Sequence, residues 1–274
     1  MIDSNSKSEA KHLDDLDRDG FTIIKSALPP EHVNRLLDLV KTHYDLTIDM
    51  KYEGVPDRDI KDKIVYALPC KDYEFLVPIF SEKIESILKL KLNDVYYRYL
   101  PVDQPNYYLS YYNARSSGDR LDLHIDSHIP SPGSYCWSMQ VVIALEPMTV
   151  ENGCTVVVSG SHKSGEYTNR NSKDFLDLLL NAGDIVIWDS RLWHGTRNNK
   201  TISTRWALIA TFSSWWVKPA MDYTKSLPQE IFSKLSPKEK SLLGFCAIPP
   251  KDEDSGINTK KGFSDLKDQV SYYH

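Results

Sequence analysis

A histidine and a carboxylate lie two residues apart in the segment LDLHIDSH, as His124 and Asp126. If this segment is a β-strand, both side chains leave the same face and can bind one metal ion together. A His-x-Asp pair alone is weak evidence, because a strand that carries two solvated polar residues has the same sequence. The pair therefore predicts a metal site only if a further ligand can be found.

The further ligand is His194, which lies in DIVIWDSRLWHGTRNN among apolar residues and two tryptophans. Two histidines and one carboxylate form the facial triad that leaves three positions open on Fe(II), as oxygen chemistry requires. The alternative is a core histidine satisfied by a hydrogen bond. His128 is a rival ligand, but on a straight strand it lies roughly 13 Å from His124, so we assign it as a candidate substrate contact.

Arg205 is suited to anchor the far carboxylate of a keto-acid cosubstrate, because a guanidinium grips a carboxylate through two charge-assisted hydrogen bonds. If Leu192–Arg197 and Thr204–Trp216 form a hairpin, the numbers of opposed residues sum to about 399 to 400. His194 then faces Arg205, and Thr196 shares the face of His194. The alternative is a strand arginine paired with an acid.

These residues must be positioned by a sheet-rich core. From Val95 onward, runs rich in tyrosine, valine, isoleucine and tryptophan alternate with turn clusters, which is typical of antiparallel strands. The predicted strands are Val95–Leu100, Tyr107–Asn113, Leu121–Asp126, Tyr135–Leu145, Thr155–Ser159, Asp184–Asp189, Leu192–Arg197 and Thr204–Trp216. Such a series predicts a mainly β fold with flanking helices, a two-sheet jelly roll. A short helix is predicted around Asp174–Leu180.

Helices are expected on either side of this core. GFTIIKSAL predicts a short strand, and Pro30 opens a helix whose apolar residues recur at helical spacing. A second helix is predicted over Tyr73–Leu90 and a terminal pair over Leu227–Leu243. We expect one domain over 1–274. Its predicted parts are a polar N-terminal segment (1–18), a helical scaffold (19–94), the jelly-roll core (95–216), and C-terminal helices with a charged tail (217–274).

Composition narrows the functional class. The 38 acidic and 33 basic residues give a net charge of -5, and the two signs are mixed along the chain, so neither a nucleic-acid nor a membrane surface is predicted. The polar first 20 residues lack the apolar centre of a secretion signal. The four cysteines are far apart, which argues against a zinc clip and favours a cytoplasmic protein with reduced thiols.

Several segments together resemble the phytanoyl-CoA dioxygenase family of Fe(II)/2-oxoglutarate-dependent oxygenases. The segments are DGFTIIKSALPPEHVNRLL, HID, ENGCTVVVSGSHKSG and AGDIVIWDSRLWHGTRNN with the arginine that follows. The resemblance implies that His124, Asp126 and His194 bind Fe(II) and that Arg205 and Thr196 hold 2-oxoglutarate, with O2 as the second cosubstrate. It also implies a double-stranded β-helix, the cupin-like form of the jelly roll.

The resemblance further implies a dioxygenase that hydroxylates, desaturates or cyclises a small molecule and releases succinate and CO2. Halogenating relatives carry a small residue in place of the ligand carboxylate, so the presence of Asp126 argues against halogenation. Weaker candidates for cosubstrate contacts are Tyr112, Asn113 and Gln140. We expect the substrate to be a polar metabolite or a natural-product intermediate.

Substrate selection is expected in loops. The candidate loops are Lys51–Lys63, Arg115–Arg120, Ile129–Ser134 and Lys163–Ser172. Two alternatives stay open at this point. One is a cupin-like metalloenzyme that uses no keto acid, and the other is a non-catalytic binding member of the same fold.

Overall fold

The computed structural model describes residues 4–47, 63–97, 100, 104–116, 118–168, 172–245, 248 and 252–254. The helices are α1 Ser4–Asp19, α2 Pro30–Thr47, α3 Leu76–Ile79, α4 Glu82–Leu92, α5 Tyr223–Ser226, α6 Gln229–Phe232 and α7 Pro237–Leu242. The strands are β1 Phe21–Ile24, β2 Lys63–Val65, β3 Tyr107–Ser116, β4 Leu121–His124, β5 Ser138–Ala144, β6 Thr155–Val157, β7 Leu176–Leu178, β8 Ile185–Asp189, β9 His194–Thr196 and β10 Ala207–Ser214.

The strands form two sheets. The larger has the order β1-β8-β5-β10-β3-β2 and the smaller the order β4-β9-β6-β7. Inward side chains of both sheets share one buried cluster, including Val142 on β5, Trp188 on β8, Val157 on β6 and Leu178 on β7. Two sheets packed face to face around a common core confirm the predicted jelly roll.

The chain divides into two compact units. The first comprises Met1–Tyr66 and Asn113–Ile209, and the second comprises Ala67–Tyr112 and Ala210–His274. The first unit contains the buried cluster shared by the two sheets and every predicted metal ligand. The expectation of one domain over 1–274 stays a prediction.

The first 18 residues were expected to be a polar segment, and the described part of it forms the helix α1, which the sequence did not predict. His12 and Leu16 lie one helical turn apart and are both buried, so they form the inward face of the helix. Nδ1 of His12 lies 2.8 Å from the Thr22 hydroxyl on β1. A single leucine and a histidine are too weak an apolar stripe to predict a helix.

Four expectations need correction. The region 19–94 was expected to be a helical scaffold with one short strand; that strand is confirmed as β1, but β2 joins the larger sheet as well. The helix expected over Tyr73–Leu90 is broken into a 3-10 turn, α3 and α4. The segment around Asp174–Leu180 forms β7 instead of a helix. Residues 95–97 form a turn instead of a strand, and 98 and 99 lie outside the described residues.

The predicted hairpin between the His194 and Arg205 segments is also wrong. β9 pairs with β4 and β6 in the smaller sheet, whereas β10 lies between β5 and β3 in the larger one. The chain between them crosses from one sheet to the other, as jelly-roll connections do.

The helices elsewhere follow their sequence patterns. α2 begins at Pro30 and buries Val33, Leu36 and Val40. The terminal pair is present as α6 and α7, and α7 begins with a capping box in which Ser236 and Glu239 bond each other's backbone amides. Within the described part of the chain, every helix is too short or too polar to cross a bilayer.

Candidate metal centre

The three predicted ligands come together in the first unit. Nε2 of His124 lies 3.7 Å from Oδ1 of Asp126, and Nε2 of His194 lies 3.4 Å from Oδ2. One donor atom from each residue lies within 4.8 Å of the others. Donors about 2.0 to 2.2 Å from one ion lie roughly 3 to 4.4 Å apart, so both histidine–carboxylate separations fit a shared metal.

Backbone carbonyls orient both imidazoles. Nδ1 of His124 donates to the Asp122 carbonyl at 3.0 Å, and Nδ1 of His194 donates to the Leu192 carbonyl at 3.0 Å. With the proton on Nδ1, the lone pair of each ring is on Nε2, the nitrogen that faces the carboxylate. Hydrogen bonds of this kind fix the tautomer of metal-binding histidines.

The electrostatics also favour the neutral form of His124. Burial and the neighbouring His194 lower its pKa, against the opposing effect of Asp126. A neutral imidazole is the form that binds a metal ion. His124 is therefore suited to bind metal near neutral pH.

The two histidines are brought together by neighbouring strands. His124 on β4 is the Cα partner of His194 on β9, and their ring centroids are 4.2 Å apart. The register of this strand pair shifts between Leu121 and His124. A Cβ on Gly195 would overlap the Leu121 carbonyl and lie 3.2 Å from the carbonyl carbon of Asp122. Glycine between His194 and Thr196 therefore permits the close approach that aligns the ligands.

Asp126 is positioned differently from the prediction. β4 ends at His124, so Asp126 lies on the turn that follows, and strand alternation does not set its direction. The amides of Asp126 and Ser127 both donate to the Ser190 carbonyl, at 2.9 and 3.0 Å. These two bonds hold the carboxylate beside the imidazoles.

Arg205 and Thr196 are each linked to the start of β6, although the hairpin that predicted their proximity does not exist. Arg205 is 4% exposed. Burial raises the pKa of the Cys154 thiol to about 11, against the opposing effect of the Arg205 guanidinium. Cys154 precedes Thr155, the Cα partner of Thr196. The Thr196 hydroxyl accepts a hydrogen bond from the Leu121 amide at 3.0 Å and retains its own proton for donation.

The sequence did not reveal how the Arg205 segment is held. The Arg205 amide donates to the Ser116 hydroxyl at 2.9 Å. On either side of it, the carboxylate of Glu146 accepts the Thr204 hydroxyl at 3.1 Å and the Trp206 amide at 2.8 Å. Glu146 follows a buried strand in the sequence, but nothing in its local pattern points to residues about 60 positions later.

The weaker cosubstrate candidates separate into two groups. Gln140 on β5 and Asn113 on β3 are buried in the first unit, and no described residue donates to Oδ1 of Asn113. Tyr112 is fully buried in the second unit, where its hydroxyl donates to the Phe75 carbonyl at 3.0 Å. That bond gives the Tyr112 hydroxyl a structural partner, and the assignment of Tyr112 as a cosubstrate contact stays a prediction.

Trp188 is a neighbour of the site that sequence reasoning missed. Its ring centroid lies 5.0 Å from that of His194, and its indole N–H is buried with no acceptor among the described residues. Its position on β8, six residues before His194, is the only signal that the sequence offers. A tryptophan in an apolar strand normally indicates core packing.

The other histidines near the motifs lie outside the three-residue cluster. His128 is exposed and has a φ of +63°, so the straight-strand distance does not apply to it. His162 is buried in a 3-10 turn. Of the candidate substrate loops, residues 51–62 and 169–171 lie outside the described residues.

Sequence comparison identifies relatives that match most of this chain. The family described as phytanoyl-CoA dioxygenase (PhyH) matches residues 16–207. "Dioxygenase af480" of Aspergillus fumigatus is 36% identical over 141 residues, 49% of this chain and 46% of that protein. "Iron/alpha-ketoglutarate-dependent dioxygenase ausO" of Aspergillus calidoustus is 24% identical over 260 residues, 88% of this chain and 84% of that protein. The match to af480 thus spans less than half of that relative.

Solved structures share the fold. HygX of Streptomyces hygroscopicus, with nickel and 2-oxoglutarate bound, superposes with a TM-score of 0.61 at 17% identity, over 76% of this chain and 88% of its own. The epimerase SnoN from nogalamycin biosynthesis gives a TM-score of 0.60 at 15% identity, over 82% of this chain and 91% of its own. At such low identity, the likeness establishes the common fold and nothing further.

Proposed function

The chain belongs to the phytanoyl-CoA dioxygenase family, and on that premise we propose that it is an Fe(II)- and 2-oxoglutarate-dependent dioxygenase. One observation carries the proposal. Two imidazoles with carbonyl-fixed Nδ1 atoms point Nε2 at the two oxygens of one carboxylate. Such an arrangement has the donor set and the orientation of a metal site.

In this proposal His124, Asp126 and His194 hold Fe(II) on one face of the ion. The two-histidine, one-carboxylate set leaves coordination positions open, which a chelating keto acid and O2 need. With O2 and 2-oxoglutarate, bound iron would supply the oxidation of an unactivated C–H bond, with release of succinate and CO2. The protein binds and orients the reactants and excludes water.

We assign Arg205 and Thr196 to the far carboxylate of 2-oxoglutarate. Arg205 is 4% exposed, and a guanidinium is suited to bind a carboxylate through two charge-assisted hydrogen bonds. Thr196 has a hydroxyl proton to donate beside it. Asn113 and Gln140 remain candidates for further polar contacts, since the buried Oδ1 of Asn113 has room for a donor.

We propose a natural-product intermediate as substrate. The support is indirect, because it lies in the names of related proteins: HygX has been crystallised with hygromycin B and SnoN with nogalamycin RO. The intact ligand Asp126 is consistent with hydroxylation, desaturation or ring closure. A cytoplasmic location is part of the proposal and rests on the wide spacing of the four cysteines in the sequence.

A cupin-like metalloenzyme that uses no keto acid is the alternative from the sequence. It would give Arg205 and Thr196 no role in binding a cosubstrate. A non-catalytic binding protein would not need two imidazoles with the same fixed tautomer. Both alternatives predict that no succinate is formed.

Succinate formation tests the proposal. Purified protein supplied with Fe(II), 2-oxoglutarate and O2 should release succinate slowly even without its substrate, and His194→Ala should abolish the release while the fold is retained. His43→Gln on α2 is the control, since His43 lies outside the metal cluster. Turnover that persists in His194→Ala would refute the assigned site, and metal binding without succinate in the wild type would favour the cupin-like alternative.

A further inference from the structure

A buried ion pair is formed by Asp189 and Arg191, which lie five and three residues before His194. Nε of Arg191 donates to Oδ1 of Asp189 at 2.9 Å and Nη2 donates to Oδ2 at 2.6 Å. The side chain of Arg191 is 2% exposed and that of Asp189 is 8% exposed. A buried pair of this kind is weak evidence of stability, because desolvation offsets the attraction, so its presence calls for another explanation.

The remaining donors of the same guanidinium bind a loop. Nη1 of Arg191 donates to the carbonyls of Gly133 at 2.9 Å and of Ser131 at 3.3 Å, and the guanidinium lies 5.6 Å from the centre of the Trp137 ring. The loop that it binds is the one that begins at Asp126. Arg191 therefore fixes the distal end of the loop that carries a metal ligand.

The proximal end of that loop is fixed by the residue between the two members of the pair. The Ser190 carbonyl accepts the amides of Asp126 and Ser127, and the Ser190 hydroxyl donates to the Ser138 hydroxyl at 3.0 Å. Two consecutive residues, Ser190 and Arg191, thus bind the two ends of the loop, and Asp189 holds Arg191 in place.

The loop between these ends is strained. The Ile129 amide donates to the Ser127 carbonyl at 2.8 Å across His128, whose φ is +63°. A three-residue turn with positive φ at a non-glycine residue is a rare and costly conformation. Such strain persists only where the surroundings enforce it, and the bonds from segment 189–191 are the enforcing contacts.

From these observations we infer that Asp189 and Arg191 form a positioning pair for the metal ligand Asp126. The inference rests on the proposed function for the identity of the ligand. Arg191 is not one of the three candidate ligands; it acts by holding the strained loop so that the carboxylate stays 3.4 to 3.7 Å from both imidazoles. Outer partners of metal ligands typically contribute on the order of 10- to 100-fold to metal affinity.

The chain contains a matched control. Arg197 also pairs with a single aspartate, Asp177, through Nε and Nη2, and its guanidinium also lies over an aromatic ring, that of Phe175, at 5.0 Å. The Arg197 pair is far more exposed, and none of its hydrogen bonds reaches the loop from Asp126. Replacing Arg197 therefore removes an arginine–aspartate pair with the same two bonding nitrogens but without releasing the loop.

The experiment compares Arg191→Met, Arg191→Lys and Arg197→Met by two measurements. The first is the Fe(II) dissociation constant from anaerobic competition with a chromogenic chelator. The second is amide hydrogen exchange of the loop at 126–133 in the metal-free proteins. Thermal unfolding of each variant shows how much general stability is lost.

We expect Arg191→Met to weaken Fe(II) binding on the order of 10- to 100-fold and to speed exchange in the loop, whereas Arg197→Met changes neither. Arg191→Lys keeps the positive charge but not the forked donor geometry of the guanidinium, so it should weaken Fe(II) binding less than Arg191→Met does. If Arg191→Met does not fold, Arg191→Lys provides the test. Wild-type affinity and exchange in both Arg191 variants would overturn the inference. A wild-type chain that binds no Fe(II) would overturn the proposed function instead, and loop exchange alone would then decide whether the pair holds the loop.

Discussion

Gly195 is the point at which the alignment of the metal ligands can be perturbed without touching any of them. The glycine lies between His194 and Thr196 on β9, where β4 approaches most closely. Replacing it with alanine adds a single methyl group, which changes neither charge nor hydrogen-bonding groups. Any effect on metal binding must therefore come from displacement of β4, which carries His124.

The size of the displacement follows from the contacts of the added carbon. An alanine Cβ would lie 3.2 Å from the carbonyl carbon of Asp122 and closer still to the Leu121 oxygen. Carbon atoms pack best at about 3.5 to 4.0 Å, so the strands must separate by at least about 0.3 Å. Both contacts are backbone, so no side chain can rotate away. Overpacking of this kind costs about 1 to 3 kcal/mol, equivalent to a fall in Tm of roughly 2 to 12 °C at this chain length.

Gly195→Ala should therefore lower Tm and also weaken Fe(II) binding, on the order of tenfold or more, because His124 moves relative to His194. The control is Gly160→Ala, where strain comes from a φ of +76° and the nearest atom lies at an ordinary 3.5 Å. That variant should lose stability but keep its metal affinity. If Gly195→Ala binds Fe(II) as tightly as the wild type at an unchanged Tm, the close approach of β4 does not align the ligands.

Three further predictions concern other parts of the chain. Glu146→Ala frees the backbone on both sides of Arg205, so isothermal titration should show 2-oxoglutarate affinity reduced several-fold with Fe(II) affinity unchanged. Tyr112→Phe should cost about 0.5 to 1.5 kcal/mol of unfolding free energy through the lost bond to Phe75, with no change in 2-oxoglutarate affinity; a large loss of affinity would confirm Tyr112 as a cosubstrate contact. Burial would raise the pKa of Asp184, but two amides and Lys25 hold it below its ordinary value. Its stabilising contribution is thus present above the unfolded pKa of about 3.9 and lost as pH falls through the folded pKa, so Asp184→Asn should differ from the wild type in urea unfolding at pH 7 and converge with it in acid.

The three residues of the proposed metal site could be identified from the sequence because metal binding restricts the choice of residue types. His124 and Asp126 are two apart, and His194 is an imidazole in an apolar strand that needs a partner. The strands themselves were predictable because alternation and turn residues are local signals. These signals do not say which strands pair.

The prediction of a hairpin between β9 and β10 was wrong for that reason. A short polar connection favours a hairpin, but here the two strands lie in different sheets, because β9 pairs with β4 and β6. Arg205 was assigned to the keto acid through a pairing that does not exist, and its present support is its burial and its proximity to Cys154. Partnerships such as that of Glu146 with Thr204 and Trp206 depend on tertiary structure, which no local pattern encodes.

The central claim is that the protein binds Fe(II) and 2-oxoglutarate together. An anaerobic titration tests this claim most directly. Metal-free protein is titrated with Fe(II) in the presence and absence of 2-oxoglutarate, and the weak visible charge-transfer band of a keto acid chelated to Fe(II) is recorded. The band should appear only when both are present, vanish in Asp126→Ala, and need at least tenfold more 2-oxoglutarate in Arg205→Ala, since a bond to a charged group contributes about 1.5 to 3 kcal/mol. Tight Fe(II) binding without any such band would contradict the account.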